Sequence, residues 1–283
     1  MGMVRNLVAL MTAMAATVLT MGSAAAESGQ PAPWELTFQE ALSPVAKDQH
    51  MFHDMLLWII SCISLLVLAL LIFVILRFNK RANPTPSKTS HNTLIEIIWT
   101  VVPIMILIVV MIPSLKLLYY VDRIEEPDMT IKAIGYQWYW GYDYVDEDGL
   151  TFEAVMLEKN ELKPGQLRLL TTDNAVVLPV DTNIRVLVTA EDVIHSWAMP
   201  SLGVKMDGVP GRLNETWLRI EKEGMYYGQC SELCGTRHGF MPIMIKAVSK
   251  DDYAKWLVKA KKEFASGQAP AIKFAQVTSA NAE

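Results

Sequence analysis

Cysteine is scarce in this chain: three in 283 residues, at Cys62, Cys230 and Cys234. Cys62 stands inside an apolar run, so at most one disulfide, Cys230 to Cys234, is open to the chain. It would close a tiny loop and add little stability. The pattern Cys-x-x-Cys-His is absent, which removes a covalent c-type haem. Positive charge is not in excess either. Lys and Arg number 25 against 30 Asp and Glu, a formal net charge of −5, and this argues against a nucleic-acid binder. No internal repeat occurs. Charge is nearly missing from two long stretches, which carry much of the 52% hydrophobic content and the mean hydropathy of +0.23.

Those stretches organise the first half. Residues 1–26 read as a secretory signal, with Arg5, an apolar Leu7–Leu19 core and a small-residue site at Ala24-Ala25-Ala26. Residues 27–54 form a polar, proline-bearing periplasmic lead-in. Residues 55–78 and 94–118 are each long enough to span a bilayer, which takes about 20 residues. Pro103 predicts a kink in the second span. The connection between the two spans contains Arg77, Lys80, Arg81 and Lys88 and no acid, so the loop 79–93 lies in the cytoplasm. Both chain ends then face the periplasm.

From about residue 122 to 265 the texture changes to short β-type runs: 130–134, 136–144, 167–171, 184–189, 215–219 and 243–248. Turn signals such as Lys163-Pro164-Gly165 and Val209-Pro210-Gly211 separate them. The pattern predicts an all-β sandwich of Greek-key size. Ser249-Lys-Asp-Asp252 reads as a capping box before a helix with Tyr253, Trp256, Leu257, Ala260 and Phe264 on one face. Residues 266–283 read as a flexible tail.

Chemistry concentrates in Cys230-Ser-Glu-Leu-Cys234-Gly-Thr-Arg-His238-Gly-Phe-Met241. Two thiolates, an imidazole and a thioether make a soft ligand set. His195, upstream, offers a second imidazole from another strand end. Zinc takes Cys2His2 sets, but a thioether suits copper. A single blue copper needs one Cys, and this loop has two. Two thiolates can bridge two copper ions, with one imidazole on each.

The loop, together with Glu191-Asp-Val-Ile-His195-Ser-Trp-Ala-Met-Pro, Val209-Pro-Gly-Arg-Leu-Asn214 and Gly135-Tyr-Gln-Trp-Tyr-Trp-Gly141, resembles cytochrome c oxidase subunit II of the alphaproteobacterial type. The likeness runs from about residue 44 to 258. It implies a membrane-anchored all-β protein: an N-terminal two-helix transmembrane hairpin, then a cupredoxin-like Greek-key β-sandwich with a short C-terminal helix. It further implies two copper ions held by His195, Cys230, the backbone carbonyl of Glu232, Cys234, His238 and Met241. The Glu232 side chain is implied as a ligand of a magnesium ion shared with oxidase subunit I.

The same resemblance gives the function as the electron-accepting subunit of an oxidase. Electrons come from a separate cytochrome c and pass to a haem in subunit I, which reduces oxygen to water with proton pumping. Subunit III and membrane lipid are further expected partners. Trp138, rather than Trp140, is implied as the electron port, and Glu96 as the entrance of a proton pathway. Asp143, Asp146, Glu147, Asp148 and Asp192 are read as a patch beside the port that steers a basic donor. Two other classes fit parts of the pattern. A membrane-anchored copper carrier would not need Glu96 or the Glu232 side chain, and a structural zinc domain would not need Met241.

Overall fold

A computed structural model describes residues 29–264, apart from positions 86, 124, 125 and 148. The segments read as signal peptide and tail lie outside the described residues, and so does Asp148.

Helix α1 (Pro44–Arg77) starts where Ser43 caps it. The Ser43 hydroxyl accepts the Ala46 N–H at 3.0 Å, and Pro44 occupies the first turn, where its missing N–H loses no bond. At 1.5 Å per residue this 34-residue helix is about 51 Å long, against about 30 Å of bilayer hydrocarbon. Its first turns therefore stand outside the membrane. The sequence places a lead-in over 27–54; the helix instead begins at Pro44. Lys47, Asp48, Gln49 and His50 interrupt the hydropathy there without interrupting the helix.

That overhang grips the domain that follows. Val45 and Ala46 are buried, the Ser43 hydroxyl donates to the Leu202 carbonyl at 2.7 Å, and the Gln49 amide donates to the Gly203 carbonyl at 2.8 Å. Lys47 pairs with Glu221. Helix α2 (Thr93–Asp122) is capped by Asn92, whose side chain accepts the Leu94 and Ile95 N–H groups. It continues as one element through Pro103 and Pro113. At its far end Trp217 donates to the Tyr120 carbonyl at 3.3 Å, with the two rings edge to face at 5.4 Å. Both helices are apolar all round, and side chains such as Leu71, Ile75 and Leu107 are exposed, as membrane contact requires.

Among the described residues ten strands follow in chain order: β1 (Met129–Tyr136), β2 (Tyr139–Tyr144), β3 (Thr151–Ala154), β4 (Val176–Pro179), β5 (Ile184–Ala190), β6 (His195–Met199), β7 (Val204–Gly208), β8 (Asn214–Leu218), β9 (Gly224–Gln229) and β10 (Pro242–Val248). One sheet runs β3-β2-β1-β5-β8, a second β4-β10-β9, and β6 pairs with β7. Alternate residues of β1 and β5 (Ile131, Ala133, Val186, Val188) point into the core with Leu178, Ile243 and Ile245 of the second sheet. Trp140 and Trp197 are fully buried, and each such side chain contributes on the order of 2–3 kcal/mol. Tyr144 links the sheets: its hydroxyl donates to the Val177 carbonyl at 2.8 Å and accepts the Val177 N–H at 2.9 Å.

Helix α3 (Lys250–Phe264) forms as the capping box predicts. The Ser249 hydroxyl accepts the Asp252 N–H at 3.2 Å, and Ala260, Trp256 and Phe264 pack onto the core. Two sequence expectations need correction. The run 136–144 is a hairpin, not one strand, because the chain reverses at Gln137-Trp138. The run 167–171 is a turn: Leu169 takes φ 68°, and the Thr171 hydroxyl bonds back to the Leu167 carbonyl at 2.9 Å. The β1–β5 and β4–β10 pairs are parallel, which strand patterns alone do not reveal.

Candidate metal centre

The loop between β9 and β10 is tied down at both ends. The Cys230 N–H donates to the Met241 carbonyl, and the Ser231 N–H donates to the Ser196 carbonyl at 3.0 Å. The second bond fastens the loop to β6, the strand that opens with His195. Within the loop the His238 N–H reaches the Gly235 carbonyl at 3.1 Å, and the Gln229 amide reaches the Gly239 carbonyl at 2.7 Å.

These bonds bring five side chains and one carbonyl to a single point. Cys230 Sγ and Cys234 Sγ stand 3.9 Å apart, both buried and both free thiols. His195 Nδ1 faces Cys230 Sγ at 3.9 Å, and His238 Nδ1 faces Cys234 Sγ at 3.5 Å. Met241 Sδ lies 3.5 Å from Cys234 Sγ, and the Glu232 carbonyl lies 3.4 Å from Cys230 Sγ. His195, Cys230 and Cys234 offer donor atoms within 4.8 Å of one another. His195 approaches closely because residue 135 is glycine: a Cβ there would sit 2.7 Å from the imidazole.

Asp192 fixes the orientation of His195. Its Oδ1 takes His195 Nε2 at 2.9 Å, so a proton held on Nε2 leaves the Nδ1 lone pair aimed at the sulfurs. Burial opposes the imidazolium, yet the hydrogen bonds to Cys230 and Asp192 raise the His195 pKa. Burial likewise opposes the Cys230 thiolate, but the His195 hydrogen bond outweighs it and brings that thiol down to about 6. Cys234, buried and facing that thiolate, is pushed up to about 12. Two thiols this close resist carrying two negative charges at once, and a cation between them would relieve that repulsion. The donor set is soft, mostly buried and convergent, and it fits copper.

Both candidate port residues touch the loop. Trp138 Nε1 donates to the Cys234 carbonyl at 3.2 Å, and Trp140 Nε1 donates to the Met241 carbonyl at 3.2 Å. Trp140 is fully buried, whereas Trp138 sits at the hairpin tip and is partly open to solvent. Gln137 adds a second donor to the Cys234 carbonyl at 2.8 Å, and its N–H bonds Asp192 Oδ2 at 2.8 Å. No sequence motif marks Gln137 as a functional residue. Its position beside Trp138 was visible, but its contact with Cys234 depends on the fold. Gly235 takes φ 117°, and a Cβ there would meet the Trp138 ring at 3.2 Å.

The acids divide. Asp192 lies at the site, bonded to His195. Asp143 is on the outer face of β2, 3.8 Å from Lys132. Asp146 and Glu147 lie in the turn after β2, where Asp146 accepts the Thr130 N–H at 2.6 Å and Glu147 pairs with Lys261. They were expected beside Trp138, and this is corrected. The hairpin puts the length of β2, about 17 Å at strand rise, between that turn and the port. Glu153, opposite Gly141, and Glu191, whose N–H bonds the Gly135 carbonyl, lie nearer the port end. Burial, and then the charge of Glu153, pushes Tyr139 up to about 12. The Glu232 side chain is exposed. Glu96 is in the first turn of α2, its carbonyl accepting the Thr100 hydroxyl at 2.8 Å. It lies about 40 Å along the helix from Asp122.

Comparison with known proteins agrees along the chain. A family model described as cytochrome C oxidase subunit II, transmembrane domain, matches residues 31–117, and one described as cytochrome C oxidase subunit II, periplasmic domain, matches 129–248. The probable cytochrome c oxidase subunit 2 of Rickettsia bellii is 53% identical over 241 residues, 85% of this chain and 90% of that one. Cytochrome c oxidase subunit 2 of Zea mays is 49% identical over 231 residues, 80% of this chain and 89% of that one. A crystal structure of the periplasmic domain of subunit II of cytochrome oxidase from Bradyrhizobium japonicum is 51% identical; it covers 50% of this chain and 100% of its own, with a TM-score of 0.48.

Proposed function

The chain belongs to the cytochrome c oxidase subunit II family, and from that premise we propose that His195, Cys230, Cys234, His238, Met241 and the Glu232 carbonyl hold two copper ions, with Trp138 as the electron port. As a member of that family it is the electron-accepting subunit of an oxidoreductase complex. It crosses the inner membrane twice and carries its C-terminal domain in the periplasm. The observation that carries the copper proposal is the convergence of two buried sulfurs, a buried thioether, the buried His195 Nδ1 and the half-buried His238 Nδ1.

Bound there, copper supplies one-electron chemistry. The residues do the rest. Asp192 keeps His195 in the tautomer that presents Nδ1. The strand bonds around Ser231 and Cys230 hold the donors rigid, so little moves when charge changes. Burial of Cys230, Cys234 and Met241 excludes water. The Trp138 indole, bonded to the carbonyl of a sulfur ligand, supports a short through-bond route from the surface. Asp192 and Asp143, with weaker shares for Asp146 and Glu147, attract a basic cytochrome c, and Asp148 is assigned to the same patch. Subunit I, which bears the receiving haem, and subunit III are its companions in the complex.

Metal analysis of the purified oxidase tests the copper count. Two coppers per chain, with one unpaired spin shared between them, are expected; one copper, or zinc, overturns the reading. The Glu232 side chain, exposed and carboxylate, suits a hard ion, and we assign it to magnesium shared with subunit I. Manganese taken up in its place should lose its spin signal in Glu232→Gln. Glu96, an acid at the cytoplasmic end of α2, is assigned to the entrance of a proton pathway. The residue limits of the signal peptide, spans and tail are part of the same proposal.

A further inference from the structure

Arg237 puts a positive charge on a rim that is otherwise suited to a basic donor. It stands two residues from Gly235, where a Cβ would touch the Trp138 ring at 3.2 Å. Two residues of chain span at most about 7 Å, so Arg237 belongs to the surface around the port. Its Nη2 donates to Glu158 Oε1 at 3.1 Å, and its guanidinium lies 5.9 Å over the Phe240 ring.

Stability does not account for this pair. Arg237 and Glu158 side chains are 44% and 60% exposed, and exposed ion pairs add little. The loop already has its backbone bonds, including the Phe240 N–H to the Arg237 carbonyl at 2.8 Å. Recognition is the remaining use. A cationic donor nearing Trp138 is attracted by Asp192, Glu191 and Glu153, and repelled by Arg237. Glu158 cancels that repulsion at contact distance.

We propose that Arg237 and Glu158 form a donor-specificity element, in which Glu158 masks the guanidinium from a basic cytochrome while Arg237 keeps the rim from binding it too tightly. The inference rests on Trp138 as the port. The net charge of the pair is zero, so removing both should matter least, and removing either should shift affinity in opposite directions.

The test uses the assembled, purified oxidase and steady-state KM for a basic cytochrome c at low ionic strength. Glu158→Gln should raise KM about threefold and Arg237→Gln should lower it about twofold, with the double variant close to the parent. At about 1 M salt, where the screening length is about 3 Å, the differences should vanish. The copper spectrum and turnover with a small neutral reductant should be the same in all variants. Unchanged KM in both single variants overturns the proposal. So does a raised KM in Arg237→Gln, which would make Arg237 a direct anchor. Trp138→Gln in the same assay separates the two readings. If it leaves turnover intact, the port reading falls and takes this inference with it. If it abolishes turnover while the pair variants are silent, only this inference falls.

Discussion

The loop 230–241 has an inner and an outer face, and they follow different rules. Inward, Cys230, Cys234 and Met241 are at most 3% exposed, and each donor atom meets another within 3.9 Å. Outward, Glu232, Leu233, Arg237 and Phe240 are exposed. Inner groups are bound by several neighbours at once, so replacing one disturbs the whole set. Outer groups answer to solvent and to a partner, so replacing one shifts a rate or an affinity and leaves the centre alone. A single short segment thus presents the candidate metal donors on one side and a solvent-exposed surface on the other.

The strongest test of that separation is Cys234→Ser. It removes the sulfur that faces Cys230, His238 and Met241, and should abolish the spin signal of the shared-copper centre and lower turnover by at least about two orders of magnitude. A retained signal would mean that the inner face is less interdependent than its geometry implies. Trp138→Gln comes next. It removes an indole bonded to the Cys234 carbonyl from outside, and should slow electron uptake from cytochrome c by about tenfold or more while the copper spectrum stays intact. A lost spectrum would place Trp138 on the inner face.

Glu96→Ala should leave both faces untouched, since Glu96 lies at the far end of α2. Proton uptake by the complex should slow several-fold with no change in the copper signal; a disturbed signal would point to a structural role. The smallest effect belongs to Asp146→Asn with Glu147→Gln. That turn stands a strand length from the port and is already engaged by Thr130 and Lys261. KM for cytochrome c should change by less than about twofold, and less than for Asp143→Asn. A larger change would extend the outer face down the hairpin.

Much of this is legible in the sequence. The two spans follow from uncharged length, and their direction from Arg77, Lys80, Arg81 and Lys88. Four of the candidate soft donors, Cys230, Cys234, His238 and Met241, stand within twelve consecutive residues, while His195 is a candidate from upstream and the Glu232 carbonyl joins them only through the family resemblance. The capping box at Ser249 predicts α3, and the helix face it implies is the one that packs. Other features were not legible. The start of α1 at Pro44 was hidden by polar residues that the domain, not the membrane, accommodates. The hairpin tip at Gln137-Trp138 lies inside an aromatic run whose nearest glycines, Gly135 and Gly141, flank the tip rather than occupy it. The 167–171 run has strand-like residues, but a left-handed Leu169 bends it.

Local sequence carries the membrane topology, the candidate soft donors and the presence of a β domain, because hydropathy, charge and donor softness are properties of short segments. Tertiary structure alone decided three things: that His195 reaches Cys230 from 35 residues away, that Trp138 is open to solvent while Trp140 is sealed, and that Asp192 serves the site while Asp146 and Glu147 stand apart. Each depends on strand register and on parallel pairing between β1 and β5. Those are set by the packing of whole sheets against one another, and no local pattern encodes them.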